Sequence, residues 1–437
     1  MEKPLFREAL KFWFRLGWIS FGGTAAHIAI MHDFLVDKKK WISNSKFLHA
    51  LSLCMILPGP EAQQLSIFIG SQLHGKKGGL AAGILFVLPS MFILLALSII
   101  YVLFGNLPWI SAMFNGLKPA VIALIIIALI RLGQKALRGV LHIIVASAAF
   151  VCMYFFAVSL LALMAGAVIL AIVIRWTRPS LFHNKATVEE AAEEQGYYIN
   201  KYSVACGDGL KLGRILKLTA VFVAIWFVPF TLFSLFASDL PFWKGLSLFF
   251  TKTAFVTIGG SYTVIPYVAQ ITVTKFHWLS KLQMMDGFAL AETTPGPLII
   301  VLAFVGFMAG YNQFNGSLLM GTVGLLAATF YTFLPCFLFV FVGAPGVGKT
   351  ENNPLIQGML GLITAVVVGA ISDLTIFLGK NVIFLQGIAA VRNIQIVPLL
   401  WVVISLILLK RFRLNVIALI GLSILFGLVQ YLIGNLK

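Results

Sequence analysis

The sequence has few charged residues for its length. Of its 437 residues, 11% are Asp, Glu, Lys or Arg and 60% are hydrophobic. A soluble fold could not bury so much apolar surface, which excludes an ordinary soluble enzyme or binding domain. The composition instead predicts an all-α polytopic membrane protein that is surrounded by a lipid bilayer.

Cysteine and acidic residues are also scarce. The four cysteines are scattered without the spacing of a metal site or a disulfide framework, so we predict no metal and no cofactor. Only 15 Asp and Glu stand against 32 Lys and Arg, which gives a net charge of +17. Cationic loops that set membrane orientation explain this excess better than nucleic-acid binding, and no nucleic-acid partner is predicted.

Two short motifs occur twice in the chain at the same separation. Gly22-Gly23 recurs as Gly259-Gly260, and Pro58-Gly59-Pro60 recurs as Pro295-Gly296-Pro297, in both cases 237 residues later. Tandem halves with helix breakers at matching points inside apolar segments are typical of secondary transporters built from repeats. The predicted organisation is a first repeat over 1–175, a linker over 176–214, a connecting transmembrane helix over 215–240 and a second repeat over 241–437.

Nine apolar segments are long enough to cross a bilayer. They lie at about 79–104, 109–131, 139–157, 158–175, 215–237, 317–342, 355–378, 394–409 and 414–433. Four further apolar stretches, 10–32, 46–72, 247–269 and 283–309, are broken by the Gly-Gly and Pro-Gly-Pro motifs. Each could be a bent full crossing or a re-entrant pair of half-helices. Lipid tolerates such a break only where protein or a water-filled cavity covers it.

The positions of Lys and Arg predict the orientation of the chain. Re-entrant stretches keep the basic cluster Lys38–Lys40 on the same side as Lys76 and Lys77, as the positive-inside rule prefers. With a cytoplasmic N-terminus, five crossings separate the two repeats, and an odd number turns the second repeat over. We therefore predict antiparallel repeats in the cytoplasmic membrane, a cytoplasmic linker and an external C-terminus.

The four breaks form the candidate binding site. A half-helix that begins inside the membrane presents unpaired amide donors and the positive end of its dipole, which together suit an anion. Antiparallel symmetry would bring the breaks around one cavity. The competing interpretation is that Gly and Pro merely allow close helix packing. The candidate substrate-binding residues at the breaks are Gly22, Gly23, Pro58, Gly59, Pro60, Gln63, Gln64, Gly259, Gly260, Pro295, Gly296 and Pro297.

Two cations precede the Gly-Gly motifs at equivalent positions. Arg15 and Lys252 each lie seven residues before the first glycine of a pair. Intramembrane cations are costly and usually face a partner or a water-filled cavity, so the two suggest a binding site for a small dianion. The alternative for Arg15 is that it snorkels to the cytoplasmic edge of the membrane. Lys118, near the outer end of its span, is a further candidate for coupling or gating.

Three other polar residues beside the breaks are candidates for coupling or gating. Glu61 follows the first Pro-Gly-Pro motif and Glu292 precedes the second. A carboxylate in such a place can carry a proton or pair with a cation, and the sequence leaves both roles open. His27, four residues after Gly23, could titrate or form a structural hydrogen bond, and the structural role is favoured.

One motif points to a different class of protein. The segment from Gly343 to Thr350 fits the phosphate-loop pattern G-x4-G-K-T of nucleotide-binding proteins. That loop functions between a buried strand and a helix of a nucleotide-binding domain. Here it follows one apolar span and precedes another. The sequence therefore favours a glycine-rich turn over an ATP-driven pump or a nucleotide-regulated protein.

With these motifs the chain resembles the chromate ion transporter family in its long, two-repeat form. In the first repeat the likeness consists of Phe21-Gly22-Gly23, His27-Ile28, Pro58-Gly59-Pro60, Gln63-Gln64 and Ile69-Gly70. In the second repeat it consists of Gly259-Gly260, Ile265-Pro266, Glu292 with Pro295-Gly296-Pro297, and Phe304-Val305-Gly306. Thr24 stands where family members usually have proline.

The resemblance implies a function and a substrate. It implies a secondary active transporter, not an enzyme, that exports chromate by alternating access and so confers chromate resistance. Sulfate or another oxyanion is the alternative substrate, because chromate and sulfate are tetrahedral dianions of similar size. The coupling ion, a proton or a counter-anion, is left open, and so is the oligomeric state, a homodimer included.

Overall fold

The computed structural model describes residues 3–20, 23–137, 139–177, 196–199, 212–236, 239–257, 261–347, 354–384 and 394–435. Within these ranges the secondary structure is helical, apart from isolated β-bridges between Ile42 and Ile199 and between Phe384 and Ile394. The α-helices are α1 Phe6–Ile19, α2 Gly23–His32, α3 Asn44–Ile56, α4 Glu61–Phe104, α5 Pro108–Ala136, α6 Val140–Phe156, α7 Leu160–Thr177, α8 Leu212–Phe236, α9 Leu240–Val256, α10 Ser261–Thr274, α11 Lys281–Thr293, α12 Val301–Gln313, α13 Leu318–Val347, α14 Pro354–Ile383, α15 Ile396–Lys410 and α16 Val416–Asn435. A π-helical segment, Asp33–Lys38, follows α2, and a 3-10 turn, Leu298–Ile300, precedes α12.

Seven helices in the described part of the chain are long and apolar enough to cross a membrane, namely α4, α5, α7, α8, α13, α14 and α16. The two other predicted spans, 139–157 and 394–409, form the apolar helices α6 and α15, which have 17 and 15 residues. α6 ends at Phe156, where the next residue, Ala157, takes a left-handed conformation (φ 52°). The chain is therefore an all-α polytopic membrane protein, as its composition predicts.

The interrupted stretches of the first repeat are helical hairpins. After α2 the chain returns to the start of α1, where the Lys39 ammonium pairs with the Glu8 carboxylate at 2.7 Å. After the first part of α4 the chain again lies next to the start of α1. There His74 Nε2 lies 2.8 Å from the Pro4 carbonyl oxygen. Both ends of each hairpin thus lie at one level of the molecule, which favours re-entrant half-helices over bent full crossings.

The second repeat contains two hairpins of the same kind. Phe242, at the start of α9, packs against Trp278, which follows α10, with the ring centroids 6.0 Å apart. Asn312, near the end of α12, donates a hydrogen bond of 2.7 Å to the Trp278 carbonyl oxygen. The ends of both hairpins therefore meet around Trp278.

The order of helices repeats with the offset found in the sequence. α3 spans Asn44–Ile56 and α11 spans Lys281–Thr293, so that both their ends differ by 237 residues. α4 leaves helical geometry at His74 and Gly75 and is therefore two helices joined at a kink. Its two parts correspond to α12 and α13, which supports the predicted pair of repeats.

The path of α4 bears on the relative orientation of the repeats. His74 lies at the hairpin ends of the first repeat, and Ser90 lies against Gly296 at a break of the second. Further along, the Tyr101 ring packs on Phe304 of α12, with centroids 5.5 Å apart. The hairpins of the two repeats thus lie towards opposite ends of α4. This arrangement favours antiparallel repeats, and which end is cytoplasmic stays a prediction from the charges.

Several predicted features lie wholly or partly outside the described residues. These include most of the linker and the glycines Gly22, Gly259 and Gly260. The segment from Gly343 to Thr350 is described only as far as Val347, where it forms the end of α13. Its first residues are therefore helical, whereas a phosphate loop is preceded by a strand.

Candidate functional site

Each hairpin has one break between its two helical segments. The described residues at these breaks, namely Ser20 and Gly23, 57–60, Thr257, and 294–297, are called the hairpin tips below. The Gly59 amide donates a hydrogen bond of 2.5 Å to the Thr257 carbonyl oxygen. The Gly296 amide donates one of 2.7 Å to the Ser20 carbonyl oxygen. The two donors are 237 residues apart, and so are the two acceptors. Each Pro-Gly-Pro tip is therefore joined to the tip that carries the Gly-Gly motif in the other repeat.

The 3-10 turn follows the tip at 294–297. It packs against α10, which begins after Thr257, and against α4, whose Ser90 lies next to Gly296. Each pair of tips thus brings a predicted break of one repeat against a predicted break of the other. Backbone atoms make these contacts, with the Gly59 and Gly296 amides as donors. The prolines of the tips have no amide hydrogen to donate; they are Pro58, Pro60, Pro295 and Pro297.

Gly59 and Gly296 hold positions that favour glycine for two reasons. Their φ angles are +128° and +108°, in the region that other residues rarely adopt. A Cβ atom on Gly59 would lie 2.8 Å from the Cys336 sulfur, and one on Gly296 would lie 2.5 Å from the Ser90 hydroxyl oxygen. Close backbone approach at the tips therefore depends on the missing side chains.

Two helical segments begin at the Pro-Gly-Pro tips without a side-chain cap. α4 begins after Pro60, the 3-10 turn begins after Pro297, and neither first turn receives a side-chain hydrogen bond from the capping residue. The first amides of a helix have no partner within the helix, and the positive end of the dipole lies at the same place. Both starts can therefore donate hydrogen bonds to an anion. Gly23 is the first residue of α2 at a third tip.

Gln63 and Gln64 are buried in the first turn of α4. Gln64 Nε2 donates a hydrogen bond of 2.5 Å to the Pro58 carbonyl oxygen and so braces the tip. The side-chain oxygens of both glutamines are buried without a hydrogen-bond partner among the described residues. Because buried polar atoms are rarely left unpaired, these amides suggest a place that another molecule fills. Rotation of the Gln63 amide would present its NH2 group to an anion.

Glu61 is the first residue of α4 and is 9% exposed. The helix dipole favours a carboxylate at this position. An ionised Glu61 would also repel an anion that approaches the start of α4, so Glu61 suits gating or coupling better than binding. Its equivalent in the second repeat is Leu298, and the two halves of the site therefore differ in charge.

His27 has a structural role at the first tip. It is fully buried in α2, and its Nε2 lies 2.9 Å from the Ser20 carbonyl oxygen, which also accepts from Gly296. A carbonyl oxygen can only accept, so Nε2 carries the hydrogen. The ring packs edge-on against Phe86 at 5.5 Å between centroids. His27 thus positions the oxygen atom that joins the two repeats.

Glu292, just before the second Pro-Gly-Pro motif, lines a small cavity of about 20 Å³. The other walls are apolar and come from α5, α10, α11, the 3-10 turn and α14; they are Val121, Leu124, Ile125, Ile265, Phe288, Leu298, Ile371 and Leu374. Arg131 of α5 acts on the Glu292 carboxylate electrostatically. Proton carriage and cation pairing both remain compatible with this position.

Arg15 and Lys252 are not brought together with the tips. Both side chains are exposed on the outer faces of α1 and α9. The neighbouring large apolar residues Phe14, Trp18 and Phe255 are exposed as well, whereas the inner face of α1 buries Trp13. This placement favours the snorkelling alternative and leaves backbone and amide groups as the donors at the tips.

Lys118 takes part in a cluster that the sequence reading missed. Its ammonium lies 3.8 Å from an Asp286 carboxylate oxygen, and the Tyr101 hydroxyl donates a hydrogen bond of 2.9 Å to the other oxygen. Asp286 is 5% exposed, and Lys118 also donates to the Asn115 side chain at 2.9 Å. The sequence does contain a signal for this cluster, because an acidic residue such as Asp286 is unusual in an apolar segment.

The chain matches a protein-family model in two segments that correspond to the two repeats. The family model described as chromate transporter matches residues 7–172 and 244–428, two segments whose first residues are 237 apart. The chain belongs to the chromate transporter family. Membership extends to both halves, and the region between the matches contains the linker and α8.

Several relatives match over most of their length. A chromate transport protein of Cupriavidus metallidurans is 29% identical over 430 residues, which cover 97% of this chain and 93% of the relative. A chromate transport protein of Pseudomonas aeruginosa is 31% identical over 382 residues, 86% and 80% of the two chains. A probable chromate transport protein of Synechococcus elongatus is 29% identical over 380 residues, 86% and 85%. No solved structure matches significantly.

Proposed function

We propose that this chain is a secondary active transporter that exports chromate across the cytoplasmic membrane. The observation that carries the proposal is the pair of equivalent hydrogen bonds between tips, from Gly59 to Thr257 and from Gly296 to Ser20. They bring broken helices of the two repeats into contact, which supports a site for a small ion between the repeats. The substrate is suggested by the relatives whose names state chromate transport.

The bound chromate is held by neutral donors in this proposal. The first amides of α4 and of the 3-10 turn donate hydrogen bonds to its oxygen atoms, and the Gln63 amide adds another. Helix starts bind oxyanions because their amides are unpaired and oriented. Neutral donors also limit the affinity, which a transport site needs in order to release its substrate.

Alternating access would arise from movement of one repeat against the other. The two contacts between tips are equivalent. Opening one contact while the other is closed would give access from one side of the membrane, and the reverse would give access from the other side. α4 and α13 correspond to each other and pack together. They are therefore the elements about which the repeats would rock.

Coupling is assigned to the two carboxylates of α11. Asp286 and Glu292 lie on α11 of the second repeat, and Asp286 pairs with Lys118 and Tyr101 of the first. If protons drive export, these carboxylates carry them. If a counter-anion drives export, it uses the tips in alternation with chromate. Uptake into proteoliposomes under an imposed pH gradient, compared with an imposed anion gradient, separates the two.

Counterflow tests the proposed function and its substrate. Purified protein in proteoliposomes preloaded with unlabelled chromate should concentrate labelled chromate transiently. Sulfate, the alternative substrate, has the same charge and shape and should be run in parallel, alone and as a competitor. Movement of sulfate but not chromate would replace the substrate, and movement of neither ion would contradict the proposal.

A further inference from the structure

A second, larger cavity of about 260 Å³ lies away from the tips. It sits where α6, α10 and α14 end and α11 begins, at the end of the molecule that the charge distribution predicts to be outside. Its polar wall is formed by Tyr154, Gln270, Thr274, Lys281, Asp373 and Lys380. We call it the outer cavity. It has room for a tetrahedral oxyanion together with several water molecules.

The two lysines of the outer cavity are held in place by aromatic rings. The Lys281 ammonium lies 4.6 Å from the centroid of the Phe377 ring. The Lys380 ammonium donates a hydrogen bond of 2.7 Å to the Tyr154 hydroxyl and lies 4.7 Å from the centroid of that ring. Both lysines are half-buried, and aromatic contacts of this kind orient a cation without neutralising it.

One carboxylate shares the outer cavity with these cations. Asp373 lies on α14 two turns before Lys380, whose charge acts on it. Among the described residues lining the cavity, two cations therefore face one carboxylate, and the lining keeps a net positive charge. Gln270 of α10 adds a neutral hydrogen-bond donor, whereas the Thr274 hydroxyl donates to the Gln270 carbonyl oxygen. This combination suits a small dianion better than a cation.

The outer cavity is separated from the Glu292 cavity by very little protein. Leu374 of α14 lines both cavities and is 4% exposed. On α10, Ile265 lines the Glu292 cavity and its neighbour Pro266 lines the outer cavity. A rotation of the Leu374 side chain or a small shift of α14 against α10 would connect the outer cavity with the region next to the tips.

We propose that the outer cavity is a second binding site for the transported oxyanion, with Lys281 and Lys380 as its cationic ligands and Leu374 as the side chain that closes it towards the tips. The site rests on the proposed function and extends it. An ion that leaves the neutral donors at the tips would meet these positive charges next on its way out. Ammonium groups bind oxyanions as point charges, so exchange with water stays fast.

The lysines are tested by transport kinetics in proteoliposomes. The double variant Lys281→Gln/Lys380→Gln should raise the KM for chromate about tenfold. Lys275→Gln is the matched control, because Lys275 is an exposed lysine at the same end and does not line the cavity. Its KM should equal that of the unmodified protein. A double variant with an unchanged KM would contradict the proposal.

Asp373→Asn provides a test in the opposite direction. Removal of the Asp373 carboxylate should lower the KM for chromate, and raised ionic strength should shrink this difference because salt screens charges. A merely structural role of the cavity would not improve binding. An unchanged or higher KM for Asp373→Asn would therefore also overturn the site.

Failure of this site is distinguishable from failure of the proposed function. If the unmodified protein moves neither chromate nor sulfate, the proposed function fails and the second site fails with it. If the unmodified protein transports chromate and the cavity variants match it, only the second site is wrong. Thermal unfolding of each purified variant verifies that the fold is retained.

Discussion

Gly59 is the residue at which backbone conformation and close packing coincide. Its φ of +128° would cost a residue with a side chain roughly 1–3 kcal/mol. A Cβ atom 2.8 Å from the Cys336 sulfur adds a packing cost of about 1–3 kcal/mol. We therefore expect Gly59→Ala to lower the unfolding temperature and to abolish most chromate uptake, as measured on purified protein and in proteoliposomes.

A matched glycine variant separates this effect from a general loss of stability. Gly166 of α7 has open space around it, so Gly166→Ala should leave both measurements unchanged. The double variant Gly59→Ala/Cys336→Ala removes the nearest sulfur and should regain part of the lost stability. If Gly59→Ala behaves like Gly166→Ala, close contact at the tip does not matter.

Gln63 lies in the first turn of α4, and its buried side-chain oxygen has no hydrogen-bond partner among the described residues. Gln63→Leu keeps its approximate size and removes the amide. A hydrogen bond to a charged group contributes about 1.5–3 kcal/mol, so the Kd for chromate should rise about 10- to 100-fold without loss of stability. Isothermal titration of purified protein measures this change. An unchanged Kd would exclude Gln63 from the site.

Variants of Arg15 and Lys252 test whether cationic side chains or backbone and amide groups bind the anion. If both faced the dianion, neutralising either would cost about 2–5 kcal/mol of binding. Because both side chains are exposed on outer faces, we expect Arg15→Gln and Lys252→Gln to change the Kd for chromate less than about threefold. A loss of more than about 30-fold in either variant would restore these cations to the site.

At the scale of elements, the hairpins make a topological prediction. Lys40 follows α2 and its π-helical segment, and Lys77 follows the kink in α4; both are exposed. In a cysteine-free background, cysteines at these two positions should be labelled only from the cytoplasm, and one at Lys275 only from outside. A full crossing by α1 and α2 would put Lys40 outside instead. Opposite labelling of Lys40 and Lys77 would therefore rule out the re-entrant arrangement.

The same scale explains why the helices were predictable. The second part of α4 and the helices α5 to α8 and α13 to α16 follow the predicted apolar spans, because hydropathy over some 20 residues is a local property. The breaks were predictable because Gly and Pro act on their own backbone. The end of α6 was predictable as well. The predicted span 139–157 and the helix Val140–Phe156 differ by one residue at each end, and Ala157 in a left-handed conformation lies at the boundary.

At the scale of the whole molecule, the Asp286 cluster joins the two repeats. Asp286→Asn would leave Lys118, whose side chain is 15% exposed, without its carboxylate, and a partly buried group that loses its partner costs about 1–3 kcal/mol of stability. We expect a clear drop in the unfolding temperature of purified Asp286→Asn protein. The double variant Asp286→Asn/Lys118→Met should recover much of it, because both charges are then absent.

The control for this cluster is an exposed ion pair. Lys38 pairs with Asp33 at 2.6 Å on the surface, so Asp33→Asn should change stability by less than about 1 kcal/mol. If Asp286→Asn is as mild as Asp33→Asn, the buried pair does not contribute to holding the repeats together.

The sequence by itself determined the class of protein, the breaks and the repeat. These follow from composition, from the backbone chemistry of Gly and Pro and from the 237-residue offset. They do not depend on which helices touch. The candidate residues Gly59, Gly296, Gln63 and Gln64 could therefore be named without the structure.

Only the tertiary structure decided which tips pair, which helix faces are buried and where Asp286 lies. Gly59 bonds to Thr257 and Asp286 bonds to Tyr101 although the partners are 198 and 185 residues apart in the sequence. In a membrane, side chains that face lipid are as apolar as those that face the core, so periodicity does not tell the two apart. Phe14 and Trp13 are adjacent, large and apolar, yet one is exposed and the other buried. For the same reason the sequence could not show that Arg15 lies on the outer face of its helix.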